Sequence, residues 1–210
     1  DEIFNSGALA EGSWNAQLSE YVQDLTGAED ALPTNSNGSG LTMAISDKYE
    51  IIDFHEEKFN VCSGWLSKAN DCLSSKGFQH IKIKIDNQRI DIYNTHLDAG
   101  NSNADINTRD NQISHIVDYI LENSFNHPII LSGDLNVNQL DINENKKIEE
   151  LISKLELNTV DWGSKNPYER EILDYILYRG FDLNQNKFGI NITLLGLSDH
   201  PPIEASFIIK

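Results

Sequence analysis

The sequence has no apolar run of eighteen or more residues, so it predicts no membrane-spanning helix. It is also poor in basic residues, because 16 lysines and arginines stand against 33 aspartates and glutamates, for a formal net charge of −17. Such an acidic surface repels phosphate backbones at long range and argues against a basic nucleic-acid groove. The argument is weaker for an enzyme, because a bound divalent metal can offset carboxylates locally.

Cysteine is scarce too, and the two that occur, Cys62 and Cys72, are ten residues apart. This spacing excludes a CxxC-type metal site and leaves two alternatives, a disulfide in an exported protein or a pair of free thiols. The chain starts without an initiator methionine or a signal peptide, so we expect that a targeting segment was removed or that the chain is a fragment. Localisation therefore stays open, with a secreted or extracytoplasmic protein favoured.

The length of 210 residues, with 39% hydrophobic and 23% charged residues, predicts one globular domain over residues 1–210. Apolar residues at helical spacing predict helices over 14–25, 109–122 and 145–157. Runs of alternating or continuous apolar residues predict strands over 41–45, 51–54, 80–85, 89–96, 128–134, 171–179, 189–195 and 203–209. Strands that pair in sequence and are separated by a few long helices indicate an α/β sandwich, with two packed sheets and helices outside.

Polar residues stand at the ends of several predicted strands, in the four stretches "NTHLDAG", "SGDLN", "LDYIL" and "LSDHPP". The residues concerned are His96, Asp134, Asn136, Asp174, Asp199 and His200. Taken singly, turn chemistry or a surface position explains most of them, and Asp134-x-Asn136 is typical of an Asx turn. Asp174 is harder to explain, because a carboxylate inside "ILDYIL" is costly to bury without a partner.

A histidine is the natural partner for such a carboxylate, which can orient an imidazole that acts as a general base. Two histidines, several carboxylates and an asparagine at strand ends can together hold a divalent metal and activate water at a phosphorus centre. The combination therefore indicates hydrolytic chemistry more strongly than any one residue does.

These four motifs, in this order and at these intervals, resemble those of the endonuclease/exonuclease/phosphatase superfamily. That superfamily includes DNase I-like nucleases, abasic-site endonucleases, inositol-phosphate phosphatases and bacterial neutral sphingomyelinases. The resemblance implies a DNase I-like fold, a four-layer α-β-β-α sandwich of two mainly antiparallel sheets. The superfamily's first strand has no counterpart here, so the resemblance also implies an N-terminally truncated domain.

The resemblance assigns roles to the matching residues. His200 would be the general base for the attacking water, and Asp174 would orient it. His96 would bind the phosphoryl oxygens or assist the leaving group. Asp134 and Asn136 would position the nucleophilic water and contact the phosphate.

The resemblance also implies Mg²⁺ or another hard divalent cation, which suits oxygen ligands. Glu2, in "DEIFN", occupies the position of the superfamily's metal-binding glutamate, and Asp199 resembles a residue near the metal. A disordered terminal acid is the alternative for Glu2.

Two further features resemble the sphingomyelinase-like branch of the superfamily. Lys76-Gly77 precedes a strand, and Arg109-x-x-Gln112 lies at the start of a predicted helix. We predict that Lys76 and Arg109 bind substrate. The alternatives are a solvated loop lysine for Lys76 and, for Arg109, a residue that only caps its helix or fastens it to the sheet.

The branch implies a phosphodiester substrate, with a phospholipid head group favoured over nucleic acid. It also implies peripheral membrane contact, for which Trp14, Trp65 and Trp162 are candidates, and a monomer. No long apolar hairpin of the membrane-inserting kind is visible between the last motifs, which weakens the lipid hypothesis. The alternatives are a DNase I-like endonuclease and a non-catalytic binding module that retains the fold.

Overall fold

The computed structural model describes residues 23–24, 49–64, 71–73, 76–139, 145–160, 171–190, 200 and 203–209. The chain divides into two compact units, 1–49 and 50–210, and nearly all of the described residues belong to the second. In the first unit, residues 23 and 24 are helical, within the predicted helix 14–25. The rest of that helix and the predicted strand 41–45 lie outside the described residues.

The second unit contains eight strands and two helices among its described residues. The strands are β1 (Glu50–Lys58), β2 (Gly77–Ile85), β3 (Gln88–His96), β4 (Ile129–Asp134), β5 (Asn158–Thr159), β6 (Asp174–Arg179), β7 (Phe181–Ile190) and β8 (Ile203–Ile209). The helices are α1 (Asn103–Asn123) and α2 (Lys146–Leu155), and a short 3₁₀ helix spans Asp71–Leu73. None of the helices described is long and apolar enough to cross a membrane.

The strands form two sheets. The larger has the order β1-β2-β3-β4-β6-β5, and all of its pairs are antiparallel except β3 with β4. The smaller is the antiparallel pair β7-β8, which contacts the larger sheet through the rings of Tyr178 and Phe207, 4.8 Å apart. The predicted α/β class with two mainly antiparallel sheets is confirmed.

The β2–β3 hairpin follows from local sequence. Ile81 and Ile83 are buried on one face of β2, while the intervening Lys82 is half-buried. The two turn residues, Asp86 and Asn87, both have positive φ angles, 48° and 67°. A two-residue turn with both central residues left-handed matches the twist of paired strands, and Asp and Asn tolerate that conformation well. The predicted hairpin is confirmed.

Helix α1 begins six residues earlier than predicted, at Asn103. Its first turns are polar, so the apolar stripe does not reveal them. The start is instead set by a capping box, in which Ser102 accepts from the Asp105 amide and the Asp105 side chain accepts from the Ser102 amide. The predicted stripe is buried against the large sheet, as Ile113, Ile116 and Ile120 show. Helix α2 buries its own stripe beside it.

Three strand predictions needed correction. Strand β1 extends through 55–58, and β7 begins at Phe181 rather than at 189. Both segments are rich in polar residues and lack an apolar alternation, which is expected of strands at a sheet edge. Strand β6 begins at Asp174 rather than at 171. Asp174 is therefore the first residue of its strand and does not lie in the middle of a buried strand.

A half-buried arginine connects the helices to the sheet at the opposite end. The Arg179 guanidinium, at the end of β6, donates to the carbonyls of Ser124, Phe125, His127 and Leu155. These carbonyls lie at or just beyond the C-terminal ends of α1 and α2, where the helix dipole favours a cation. Burial lowers the pKa of Arg179.

Gly133 permits the close approach of β3 and β4. Its φ is +137°, and a Cβ at this position would lie 1.9 Å from the carbonyl oxygen of Thr95 on the partner strand. We expect Gly133→Ala to lower the free energy of unfolding by about 2 kcal/mol or more, because backbone must move to admit the methyl group. Chemical denaturation measures this change.

The matched control is Gly189→Ala in β7, where an added Cβ would meet no atom within 4 Å. We expect its stability to stay within about 0.5 kcal/mol of the parent protein. Equal effects of the two substitutions would contradict the assignment of a packing constraint to Gly133.

Candidate active site

Three predicted site residues lie in one row across the large sheet. Strands β3 and β4 are parallel, so their C-terminal ends lie side by side, and β6 starts at the same edge because it runs antiparallel to β4. The register pairs His96 with Asp134 and Asp134 with Asp174. Neighbouring strands are about 4.8 Å apart, and paired residues point to the same face, so these side chains are adjacent.

His200 completes the cluster from outside the sheet. Its Nδ1 donates to Asp174 Oδ2 at 2.7 Å, and the same nitrogen lies 3.9 Å from Asp134 Oδ2. On the other side of Asp134, His96 Nε2 lies 3.4 Å from Oδ2. The structure thus brings together all four of the predicted histidines and aspartates that fall within its described part. Asp199, which precedes His200, lies outside the described residues, as does Glu2.

The electrostatics of the row follow from burial and from like charges. Burial raises the pKa of Asp174, and the nearby Asp134 carboxylate raises it further, while the hydrogen bond from His200 opposes both. Burial lowers the pKa of His96, as does the charge of Lys76, although Asp134 acts in the other direction. His96 therefore tends to stay neutral at neutral pH, and Asp174 retains its charge at a cost.

Asn136 is held by turn chemistry and belongs to the site as well. It adopts a left-handed φ of 51°, and its backbone N–H donates to Asp134 Oδ1 at 2.8 Å, which is an Asx turn. Its Nδ2 donates to the carbonyl of Leu97 at 2.9 Å. One of the two Nδ2 hydrogens is used by Leu97, so the second hydrogen and the side-chain oxygen are the parts of the amide that can meet a ligand. The Asx-turn hypothesis is therefore correct for this pair, and its role in the site stays a prediction.

Lys76 lies beneath the loop that follows His96. Its ammonium contacts Asp71 Oδ1 at 2.7 Å and donates to the Leu97 carbonyl at 2.6 Å. The side chain is only 11% exposed, so the alternative of a solvated loop lysine is wrong. Its role in substrate binding stays a prediction.

Arg109 is 3% exposed and faces the same loop from α1. Its Nη1 donates to the carbonyls of Asp98 and Gly100, so the arginine fastens α1 to the loop after β3. The structure thus shows the fastening role that was the alternative for Arg109. A contact of Arg109 with substrate stays a prediction.

Sequence reasoning missed two buried acids that brace this loop. Asp98 accepts from the Ser63 amide at 2.6 Å and from Gln112 Nε2 at 2.8 Å. Asp71 accepts from the Ala99 amide at 2.7 Å. The available signal was the position of Asp98 inside "NTHLDAG", two residues beyond His96. Asp71 carries no comparable local signal, because the amide that it holds in this loop, that of Ala99, is distant in sequence.

A disulfide joins Cys62 to Cys72, so the alternative of two free thiols is wrong. It connects the segment after β1 to the 3₁₀ helix that carries Asp71. A cross-link that closes so short a loop contributes about 3 kcal/mol to stability in the chain-entropy view. The segment that holds the loop after His96 is therefore fixed by a covalent bond.

The described residues do not by themselves make a metal centre. No group of three or more His, Cys, Asp or Glu within the described ranges is placed to hold a metal ion. Asp134 and Asn136 do offer hard oxygen atoms of the kind that Mg²⁺ prefers. Glu2 and Asp199, the predicted metal ligands, lie outside the described residues, as do the membrane-contact candidates Trp14, Trp65 and Trp162.

The arrangement has the chemistry of a hydrolytic site. The Asp174 carboxylate orients the imidazole of His200. A second imidazole, that of His96, lies two strands from Asp174 in the row, and the amide oxygen of Asn136 lies at the same edge of the sheet. Such a group can remove a proton from water and contact a negatively charged ester.

Comparisons with known proteins agree with a hydrolytic site. Residues 2–166 match the Endonuclease/Exonuclease/phosphatase family 2. Sphingomyelinase C from Bacillus cereus is 33% identical over 85 residues, which are 38% of this chain and 26% of that protein. The chain thus matches about a quarter of the length of this relative.

Two solved structures share the fold. Beta toxin from Staphylococcus aureus superposes with a TM-score of 0.55 at 22% identity, over 76% of this chain and 65% of the toxin. A mannosyl-6-phosphatase from Bacteroides thetaiotaomicron superposes with a TM-score of 0.55 at 17% identity, over 78% and 68% of the two chains. The motifs, the fold and the match over residues 2–166 agree, and the chain belongs to the endonuclease/exonuclease/phosphatase family.

Proposed function

We propose that the protein is a divalent-metal-dependent phosphodiesterase of sphingomyelinase type, in which His200 activates water for attack on phosphorus. The observation that carries the proposal is the 2.7 Å hydrogen bond from His200 to Asp174, within a row that also contains Asp134 and His96. An imidazole held by a carboxylate at the end of a sheet is a general base with a defined orientation.

His200 takes the proton from the attacking water. Its Nδ1 is bound to Asp174, so the proton is accepted at Nε2. The ionised Asp174 then stabilises the imidazolium that forms, without accepting the proton itself. The new bond joins the water oxygen to phosphorus, and the bond from phosphorus to the leaving oxygen breaks. The leaving oxygen takes up a proton from solvent, and the His200 imidazolium releases its proton to solvent, which restores the site.

His96 and Asn136 contact the phosphoryl group in this proposal. The lowered pKa of His96 favours a neutral ring, which can donate one N–H to a phosphoryl oxygen. Asn136 is held by its bonds to Asp134 and Leu97, so its side chain is oriented before the substrate arrives. Orientation of this kind is a large part of what such a site contributes to the rate.

Glu2 and Asp199 would hold the divalent cation, together with oxygen atoms of the row. When bound, the cation would offset the phosphate charge and the repulsion between Asp134 and Asp174. Burial raises the pKa of Asp174, and the Asp134 carboxylate raises it further, so a cation beside the two carboxylates would favour their ionised forms.

A phospholipid head group is the proposed substrate class. The 33% identity with sphingomyelinase C over 85 residues supports it, and the net charge of −17 disfavours a nucleic acid. We further propose a monomer that contacts the membrane peripherally from an extracytoplasmic compartment. The Cys62–Cys72 disulfide supports this compartment, because disulfides persist where the environment is oxidising.

The first prediction concerns substrate class. Sphingomyelin in mixed micelles and plasmid DNA are offered in parallel with Mg²⁺, and we expect release of phosphocholine with little cleavage of DNA. His200→Ala should lower the sphingomyelin rate by about 10² to 10⁴, the usual contribution of general base catalysis.

Two results would redirect this proposal. Cleavage of DNA alone would favour the DNase I-like endonuclease, and equal background rates for the parent and His200→Ala proteins would favour a binding module.

The second prediction concerns the free-energy cost of ionising Asp174 in the folded protein. Its pKa is raised in the folded protein, so ionisation of this group opposes folding. The stability that its protonated form contributes is fully present at pH values below the unfolded pKa of about 3.9. It is lost as the pH rises through the folded pKa. We expect Asp174→Asn to unfold at the same or a higher temperature than the parent protein in metal-free buffer at pH 7, while its rate of hydrolysis, measured with Mg²⁺, falls sharply.

This stability advantage should shrink as the pH is lowered, because the wild-type carboxyl becomes protonated as well. Thermal unfolding between pH 4 and pH 8 measures the trend. Asp110→Asn, at a half-buried position on α1 outside the row, is the control and should show no such pH dependence. Marked destabilisation of Asp174→Asn at pH 7 would contradict the prediction.

The third prediction concerns the metal. We expect chelation to abolish hydrolysis and Mg²⁺ to restore it, with Glu2→Gln and Asp199→Asn each raising the Mg²⁺ concentration for half-activation about tenfold or more. Glu204→Gln, at an exposed position on β8, is the control and should leave it unchanged. Hydrolysis that persists without divalent cations would exclude the metal from the mechanism.

A further inference from the structure

A groove of about 420 Å³ lies between α1 and α2. Ile106 and Arg109 line it from α1, Lys146 and Lys147 line it from the first turn of α2, and Val137 lines it from the loop after β4. None of these residues belongs to the row of His96, Asp134 and Asp174. The groove therefore lies outside the row, and it includes Arg109, which is also predicted to bind substrate.

Arg109, the buried arginine in this groove, has hydrogen-bond donors that no described residue accepts. Arg109 is 3% exposed, and both hydrogen bonds that its guanidinium forms within the described part of the chain come from Nη1. Its Nε and Nη2 have no such partner there. Among the described residues these two nitrogens do not count as buried polar atoms without a partner, so solvent reaches them, and Arg109 lines the groove.

Two lysines stand beside this arginine at the start of α2. Lys147 pairs with Glu150 at 3.2 Å, whereas Lys146 is exposed and forms no ion pair with any described residue. The N-terminus of a helix favours negative groups, so cations at its first two positions are unfavourable unless an anion joins them.

The charges that line the groove are predominantly basic. Arg109, Lys146 and Lys147 face two carboxylates, Asp110 and Glu150. The chain has only 16 basic residues against 33 acidic ones, so this excess of positive charge is contrary to its overall composition. An anion is the ligand that such a lining selects, and a planar guanidinium beside an ammonium suits the oxygens of a phosphate group.

We propose that this groove is a second anion site, distinct from the hydrolytic row, that binds a phosphate group between Arg109 and Lys146. Ile106 and Val137 provide an apolar wall for the carbon part of a larger ligand. The phosphate group is either the head group of an anionic lipid or a free phosphate. Both present the same oxygens to the site.

The groove shares two loops with the hydrolytic row. Arg109 holds the carbonyls of Asp98 and Gly100 in the loop after His96, and Val137 directly follows Asn136. An anion bound to Arg109 would therefore fasten the segment that positions His96. This second site does not depend on the proposed hydrolysis, because its occupancy is measured by binding alone.

The test compares Lys146→Gln with Lys154→Gln, which removes the same charge from an exposed position at the other end of α2. In the first arm, inorganic phosphate is titrated into each metal-free protein by calorimetry. In the second arm, each protein is sedimented with phosphatidylcholine vesicles that contain or lack phosphatidic acid. Circular dichroism confirms that both variants are folded.

We expect Lys146→Gln to weaken binding about tenfold in at least one arm, the usual effect of losing one charge-assisted hydrogen bond, while Lys154→Gln binds as the parent protein does. A Lys146-dependent loss with inorganic phosphate assigns the site to free phosphate, and a loss confined to phosphatidic acid vesicles assigns it to a lipid head group. Binding by Lys146→Gln equal to that of the parent in both arms overturns the proposal. An equal loss in Lys154→Gln also overturns it, since the effect would then be one of net charge.

Discussion

The parallel pairing of β3 with β4 is the constraint on which the site depends. It brings the two C-terminal strand ends to one edge, where His96 and Asp134 are opposite each other. The pairing requires the close approach of Gly133 to the Thr95 carbonyl, which no other residue type would allow in this conformation. Strand β6 then starts at the same edge with Asp174, and the hydrogen bond to His200 follows from that placement.

A network of buried polar groups holds the loop after His96. Asp98 and Arg109 lie almost entirely out of water, and each bonds to backbone atoms distant in sequence. Buried charges are tolerated only where such partners are complete, so the network specifies one arrangement of the loop. The disulfide anchors one end of it near Asp71. The precision of the site thus comes from residues that take no part in the proposed chemistry.

The same electrostatic logic distinguishes the row from the groove. In the row, burial and the nearby Asp134 carboxylate raise the pKa of Asp174, and a cation or a proton relieves the cost of its charge. In the groove, a buried guanidinium and two lysines have the opposite requirement, which an anion meets. The row and the groove share the loops after β3 and β4. A phosphate-containing surface would therefore contact the row and the groove through different groups.

The amino-acid sequence determined the elements with a regular apolar period and the residues that are proposed to carry the chemistry. The alternation in β2 and the stripe of α1 predicted their structures, and four short motifs predicted five residues that the structure places at one edge. Local patterns can do this because backbone geometry fixes which side chains share a face.

Only the tertiary structure decided the register of β3, β4 and β6, the start of β6 at Asp174 and the extent of the polar strands β1 and β7. Strand pairing depends on backbone hydrogen bonds between distant segments, which no local period encodes. The same holds for Asp71 and Arg109, whose partners are backbone atoms elsewhere in the chain. The sequence thus specified which groups are available, and long-range packing decided which of them meet.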